Sequence, residues 1–233
     1  MTVAERVAAI LDRIDAASMR RLGRECPVML LAAAKEREAA EIEEAIAAGV
    51  RFLGENKVQE GGGHMSSVAA EAKGRASWHF IGRLQSNKAK KAVQLFDSID
   101  SVDSSGLAER LDAAAGELGK CRECMVEVNM GEEQKGGVGL SGIASLCDAI
   151  HRSPHLTLTG LMAIPPFFDD PEQSRPYFRK LRELFDDVKK DHPEPDRFAF
   201  LSMGMSGDFE AAIEEGSTMV RIGTALFGPR RQR

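Results

Sequence analysis

The feature that most constrains this 233-residue chain is a regular alternation of short apolar runs with amphipathic stretches, repeated from end to end. The run VMLLAAA at 28–34 has the continuous hydrophobicity of a strand buried in a parallel sheet. Helical patterns separate this run from later ones, which is typical of α/β proteins. Seven further strands are predicted, at 51–56, 78–82, 98–103, 124–130, 156–164, 197–203 and 218–223.

Eight such units, without a linker or a break in composition, favour a closed (β/α)8 barrel of the TIM type over an open doubly wound sheet. The whole chain, residues 1–233, is therefore expected to form a single barrel domain. The chain stops ten residues after the eighth predicted strand, which leaves little room for a last outer helix. We expect an additional N-terminal helix over residues 3–22 to cover that gap. Its apolar positions recur at helical spacing: Val3, Val7, Ile10 and Ile14.

The composition excludes some function classes. The net charge of −5 argues against bulk attraction to nucleic acid or to an anionic membrane. The basic segment RLQSNKAKK at 83–91 is expected to be a solvated helix face, because an RNA-binding face calls for aromatics and only 6% of residues are aromatic. No apolar run could span a bilayer, and the N-terminus lacks the apolar core of a secretory signal. A cytoplasmic location is expected.

The cysteines and histidines show no metal-binding pattern, so no metal site is predicted. Cys121 and Cys124 form one C-x-x-C without a second ligand pair, and Cys26 and Cys147 are scattered. Structural or incidental cysteines are therefore expected. Four histidines are expected to be surface or structural residues: His64, His151, His155 and His192.

Lys35 is the first polar residue after the apolar run 28–34, so it lies at the mouth of the first predicted strand. Reacting groups of such barrels lie at the carboxyl ends of the strands. Partial desolvation there favours a neutral amine, which is nucleophilic toward an aldehyde. Taken alone, however, Lys35 is better explained as a solvated lysine beside Glu36 and Arg37.

Two loops of small residues predict a phosphate site. Ser202 and Ser206 lie in the loop after the seventh strand, and Gly223 and Thr224 follow the eighth. Each loop alone would be an ordinary turn with a helix cap. Together they match the recurrent phosphate site of this fold, where backbone N–H groups and helix N-termini bind the anion. Because strand eight neighbours strand one in a closed barrel, Lys35 would face this site.

A lysine amine opposite a phosphate site suits a phosphorylated aldehyde, of which pyridoxal 5'-phosphate (PLP) is the common one. A phosphosugar aldolase with a Schiff-base lysine fits nearly as well. Arg221 alternates with Val220 and Ile222, so it points into the barrel if those two pack outward. Its acceptor would be the pyridine nitrogen of PLP or a carboxylate such as Glu127. An arginine would leave that nitrogen unprotonated and so weaken carbanion chemistry.

Motifs containing these residues resemble the pyridoxal-phosphate homeostasis protein family over nearly the whole chain. The resemblance implies a PLP fold-type-III barrel like the N-terminal domain of alanine racemase, with PLP held as a Schiff base on Lys35. It also implies a role in vitamin B6 homeostasis, by buffering or delivery, with no established turnover. The motifs are LLAAAK, GENKVQE at 54–60, WHFIGRLQSNK at 78–88, GLMAIPP at 160–166 and LSMGMSGDFEAAIEEGSTMVRIGTALFG at 201–228.

The same resemblance implies roles for individual residues. Arg221 would meet the ring nitrogen of PLP, and Met203 is expected to pack on or near the ring. Asn56 and His79 match motif residues that line the same mouth. The phosphate would be held by Ser202, Ser206, Gly223 and Thr224.

The chain departs from the family pattern around the lysine and in the GEN motif. Ala34 and Glu36 stand where a serine and a threonine are usual, and Lys57 replaces an aromatic residue. Glu36 would favour the protonated amine and slow imine formation. The glycines at 61–63 are expected to loosen the helix there.

The alternative function is a PLP-dependent, racemase-like enzyme. Alanine racemases take a second base, a tyrosine, from an additional C-terminal domain. The one tyrosine of this chain, Tyr177, is predicted in an outer helix, so two-base racemisation is unsupported and no enzyme is expected. A monomer is expected, with PLP-dependent client enzymes as candidate partners.

Overall fold

Eight parallel strands close into a barrel in sequence order in the computed structural model, which describes residues 1–21, 27–131 and 136–229. Strand β8 pairs with β1, which confirms the predicted fold class. The strands are β1 Met29–Ala33, β2 Phe52–Glu55, β3 Ser77–Phe80, β4 Ser98–Val102, β5 Arg122–Val128, β6 Leu156–Ala163, β7 Phe200–Ser202 and β8 Met219–Ile222.

Helices surround the barrel, and most strands are followed by one. No helix in the described ranges is long and apolar enough to cross a membrane. The helices are α1 Val3–Arg20, α2 Ala39–Ala47, α3 Val58–Ser67, α4 Ala70–Lys73, α5 Ala89–Leu95, α6 Ser105–Glu117, α7 Ile143–His151, α8 Arg175–Asp191, α9 Phe209–Glu214 and α10 Thr224–Phe227.

Two separate apolar clusters follow from the alternation of side chains along each strand. The large cluster lies between the strands and the helices and includes Val220 and Ile222 of β8. The small cluster fills the barrel interior, and Arg221 pairs in register with its member Leu31. Other interior members come from four different strands or strand ends: Ile81, Met125, Met162 and Met219.

Helix α1 packs against α2, α9 and α10, so it covers the seam between the first and last units as predicted. Thr2 and Glu5 form a capping box at its start. Its buried positions are Val3, Val7, Ile10, Ile14 and Ala17, which is the apolar stripe read from the sequence.

In two elements the structure adds detail that the sequence pattern did not carry. Helix α3 runs without a break through the glycines at 61–63, because Gly61 packs so closely on Phe96 that a Cβ would lie 2.7 Å from its ring. Packing here outweighs the low helix propensity of glycine. Strand β7 covers only Phe200–Ser202, because a turn at 195–197 and two residues without regular secondary structure precede it.

Cys121, Cys124 and Cys147 are unpaired thiols, and Cys26 lies outside the described residues. Burial raises the pKa of the Cys147 thiol to about 11 and that of Cys124 further, so both stay protonated at neutral pH. Among the described residues no group of three or more metal-ligating side chains occurs.

Candidate functional site

A cavity of about 340 Å³ opens at the carboxyl end of the barrel, where β8 lies beside β1. Its lining joins residues from the beginning, the middle and the end of the chain. Six residues singled out from the sequence line it: Lys35, Asn56, Ser206, Arg221, Gly223 and Thr224.

Lys35 follows β1 in a tight turn that holds the lysine at the cavity. Ala34 is buried behind it, and its N–H donates to the carbonyl of Gly54 in the neighbouring strand (2.9 Å). Glu36 has a φ of +61°, unusual for a residue with a side chain, and its N–H donates to the carboxylate of Glu60. The turn therefore leaves Lys35 half-buried and on the cavity side.

The loops after β7 and β8 are joined to each other at the opposite wall. The N–H of Ala225 donates to Ser206 Oγ over 3.3 Å, and the N–H of Met205 donates to Asp208 Oδ1 over 2.7 Å. Gly204 makes the first turn possible, because its φ is +91° and a Cβ would lie 2.5 Å from Ala212 Cβ. Ser206, Gly223 and Thr224 of these loops thus line the same cavity as Lys35.

Arg221 points into the barrel, as its alternation with outward-facing neighbours predicted. Its Nη1 donates to the carbonyl (2.8 Å) and the hydroxyl (2.7 Å) of Ser202, and its Nη2 donates to the carbonyl of Ala163 (2.8 Å). Burial lowers the pKa of Arg221, while the carboxylates of Asp100 and Glu127 oppose that change. Glu127 forms no direct hydrogen bond with Arg221, so the proposed carboxylate partner is replaced by two strand carbonyls and a hydroxyl.

Three of the expected site residues do not line the cavity. Ser202 is fully buried below the cavity, with its hydroxyl bound to Arg221. Met203, the first residue after β7, belongs to the outer apolar cluster. His79 is buried inside the barrel wall and does not line the cavity. The alternation of β-strand side chains accounts for the first two placements.

His79 belongs to a polar layer beneath the cavity. Its Nδ1 lies 2.8 Å from Asp100 Oδ2, and Ser98 Oγ donates to Asp100 Oδ1 over 2.5 Å. Burial opposes a charge on His79, but the carboxylate of Asp100 outweighs it and raises the pKa of the imidazole. The buried Nε2 of His79 has no protein partner.

Arg37 and two aromatic residues complete the site, and none was singled out from the sequence. The guanidinium of Arg37 donates to the carbonyls of Phe227 (3.3 Å) and Gly228 (2.7 Å), which ties the end of α10 to the lysine turn. Phe167 and Phe168 line the cavity after β6. Their position after a strand end was the signal available in the sequence.

The donor set and size of this cavity fit a phosphorylated aldehyde with a flat ring. Lys35 contributes an amine to the lining, and Ser206, Gly223 and Thr224 contribute hydroxyl and backbone N–H groups of the kind that bind phosphate. Apolar groups from Ile81 and other residues flank the space between them.

Comparison with known families covers almost the full chain. Residues 6–231 match the family model of the alanine racemase N-terminal domain. The pyridoxal phosphate homeostasis protein of Aquifex aeolicus (strain VF5) is 41% identical and covers 99% of this chain and 100% of that relative. The protein of the same name from Escherichia coli (strain K12) is 39% identical, covering 98% and 97%.

Solved structures with similar folds extend this comparison. PipY of Synechococcus elongatus PCC7942, 36% identical, superposes with a TM-score of 0.85 without PLP and 0.82 with PLP bound, over 97% of this chain and 100% of that one. An alanine racemase of Clostridium difficile 630 superposes with a TM-score of 0.72 at 14% identity, covering 98% of this chain and 60% of its own. That second likeness concerns the fold alone.

Proposed function

This chain belongs to the alanine racemase N-terminal domain family and, within it, to the pyridoxal phosphate homeostasis proteins, and we propose that it binds PLP as a Schiff base on Lys35. Its role is vitamin B6 homeostasis, by buffering or delivery of PLP. It acts as a monomeric barrel over residues 1–233 in the cytoplasm, with PLP-dependent enzymes as clients.

The observation that carries this proposal is the position of Lys35 and the two phosphate-type loops on one cavity of about 340 Å³. The closed barrel produces that juxtaposition, since β1 pairs with β8. The PLP-bound structure of PipY, at 36% identity, supports the choice of ligand.

Each lining residue has a distinct task in this proposal. The amine of Lys35 condenses with the aldehyde of PLP, forming a C=N bond and releasing one water. Ser206 and the N–H groups at Gly223 and Thr224 bind the phosphate, and Asn56 orients the group between them. Arg221, held by Ser202 and the carbonyl of Ala163, faces the ring nitrogen and keeps its own proton.

PLP supplies an electrophilic aldehyde and, where its ring nitrogen is protonated, an electron sink. A guanidinium that donates to that nitrogen leaves it unprotonated, so the protein retains the aldehyde chemistry and loses most of the electron sink. This arrangement suits a carrier better than an enzyme.

The binding proposal is tested by titrating PLP into the purified protein and recording absorbance near the violet edge of the visible, where a protonated Schiff base absorbs. The wild type is expected to develop the band, and Lys35→Ala is expected to lack it. Lys180→Ala removes an exposed lysine on α8 and is expected to match the wild type. A band of equal strength in Lys35→Ala overturns the proposal.

The absence of turnover is tested with the PLP-loaded protein and each enantiomer of alanine. Tyr177 lies on α8, with its ring centroid 5.7 Å from that of Phe168, and does not line the cavity. We expect no interconversion of the enantiomers. Racemisation that disappears in Tyr177→Phe would assign this chain an enzymatic role.

A further inference from the structure

A second and larger cleft, of about 1190 Å³, lies at the same end of the barrel above the loops that follow β2, β3 and β4. Asn56 lines both this cleft and the cavity of Lys35, so the two adjoin. The proposed PLP site makes no use of the cleft. Much of the motif WHFIGRLQSNK forms its wall.

The cleft is cationic on an acidic chain. Asp103 is the one carboxylate among the described residues of its lining, against four cationic side chains. Within the described part of the chain these cations form no direct hydrogen bond or ion pair, although the charge of Arg83 lowers the pKa of Glu127 and so partly offsets the effect of burial. The whole chain carries a net charge of −5, so this concentration of positive charge is local. The cations are Lys57, Arg83, Lys88 and Arg110.

The loops that carry these cations contact one another and strand β4 closely. A Cβ on Gly82 would lie 2.2 Å from the carbonyl oxygen of Asn56, so glycine lets the loops after β2 and β3 touch. The carbonyl of Gly82 accepts a hydrogen bond from Ser101 Oγ of β4 over 2.6 Å. The N–H of Ile81 donates to the carbonyl of Glu55 over 2.9 Å. The three loops therefore hold a formed concave surface.

The lining chemistry suits an organic polyphosphate. Arginine guanidinium groups bind phosphate oxygens in pairs, and two of the four cations are arginines. Leu84 and Leu107 supply apolar wall that could cover one face of a ring. Side-chain amides that can pair with the edge of a heterocycle come from Gln59, Gln85 and Asn87.

Charge screening favours a small ligand over an acidic protein. Charges act over a Debye length of about 8 Å at physiological ionic strength. A small polyanion inside the cleft is surrounded by the four cations, whereas an acidic protein docked over it would also meet the acidic remainder of the chain. We infer that this cleft binds a nucleotide-like molecule that carries two or more phosphate groups, beside the PLP cavity and independently of it.

The test is calorimetric titration of ATP into the protein, with and without saturating PLP. The variants are Arg83→Gln, Arg110→Gln and the two combined. Lys180→Gln is the control, because it removes one positive charge from an exposed position on α8. The absorbance that develops when PLP is added to a separate portion of each variant reports whether the barrel is folded and its other cavity intact.

ATP is expected to bind in both conditions, more weakly as salt is added, and the double variant is expected to lose about tenfold or more in affinity. Lys180→Gln should change the affinity less than about twofold. Three results overturn the inference: no ATP binding, binding that the double variant leaves unchanged, or binding that PLP abolishes. Arginine-dependent binding of a polyglutamate peptide without binding of ATP would instead assign the cleft to a protein partner.

Discussion

At the scale of the residue, Arg221 shows what alternation along a strand can and cannot predict. Its direction follows from Val220 and Ile222, which pack outward. Its acceptors do not follow, because Ser202 and Ala163 lie on strands that pair only once the barrel closes. From the sequence, a carboxylate such as Glu127 and the ring nitrogen of PLP were both candidate acceptors, and the three-dimensional arrangement adds Ser202 and the carbonyl of Ala163.

Replacing Arg221 tests how much these buried hydrogen bonds stabilise the fold. Arg221→Met leaves the carbonyl of Ala163 and the oxygens of Ser202 without their donor, and should lower the free energy of unfolding by about 2–4 kcal/mol. Urea denaturation followed by circular dichroism measures it. Ser202→Ala removes one acceptor of the three and should cost only about 1 kcal/mol. A loss below that of Ser202→Ala would show that Arg221 does not stabilise the barrel.

The family pattern places Ser202 and Met203 at the ligand, whereas neither side chain lines the cavity in this structure. Adjacent residues of a strand point to opposite faces, so the two could not both face one cavity. Ser202 lies beneath the site as a partner of Arg221, and Met203 packs outward. Arg37 was missed for a related reason, because its acceptors Phe227 and Gly228 are distant in sequence.

At the scale of the element, two glycines are required for different reasons, one by close packing and the other by the backbone conformation of a turn. Gly61 lies within α3 because Phe96 leaves no space for a side chain, which no pattern of propensities reveals. Gly204 lies between β7 and α9 with a positive φ, in a loop whose small residues did predict a tight turn.

The loop after β7 offers a matched pair of substitutions. Gly204→Ala forces a Cβ to within 2.5 Å of Ala212 Cβ at a φ of +91°, and should lower the free energy of unfolding by roughly 1–3 kcal/mol. Gly207→Ala, in the same loop, adds a methyl group where no atom lies within 4 Å. It should change stability by less than about 0.5 kcal/mol. Equal denaturation midpoints for the two variants would contradict this account of the loop.

The contact between β2 and α3 predicts how stability depends on pH. Glu55 Oε1 lies 2.6 Å from His64 Nδ1. Burial raises the pKa of Glu55, which the hydrogen bond from His64 only partly offsets. The hydrogen bond to Glu55 raises the pKa of His64 against the effect of burial. Because both pKa values are higher in the folded state, folding is favoured at low pH. The contribution of Glu55 is lost as pH rises above its ordinary value of 4.5, and that of His64 as pH rises above its ordinary value of 6.5.

The wild type is therefore expected to lose stability between about pH 6 and about pH 8.5. His79 contributes in the same direction, and His192, whose pKa burial lowers, contributes in the opposite one. The pair is therefore isolated by comparison with Glu55→Gln/His64→Gln, which should lose less over that interval. Thermal melts at both pH values provide the comparison. Parallel decreases in the two proteins would show that this pair does not control the pH response.

At the scale of the whole molecule, the alternation of strands and helices was sufficient to predict closure and the covering role of α1. The eight strands and their order were readable because each strand is buried on both faces and each outer helix on one. The length of β7 was harder to predict, because an apolar run does not indicate how many of its residues form hydrogen bonds with the neighbouring strands.

Helix α1 should be needed for the stability of the barrel. Ile14 is 2% exposed, and Ile14→Ala should lower the free energy of unfolding by about 2–4 kcal/mol through lost burial and a cavity. Leu11 on the same helix is 37% exposed, and Leu11→Ala should cost under about 1 kcal/mol. Urea denaturation compares the two. Equal costs would mean that α1 does not seal the seam beside α2, α9 and α10.

The central claim, that Lys35 carries PLP opposite the loops after β7 and β8, is tested most directly by chemical fixation. The PLP-loaded protein is reduced with borohydride, which converts the C=N bond to a stable C–N bond, then digested and mapped by mass spectrometry. The phosphopyridoxyl group is expected on the peptide that contains Lys35, in about one copy per chain. The same group found chiefly on another lysine, with Lys35 unmodified, would contradict the account.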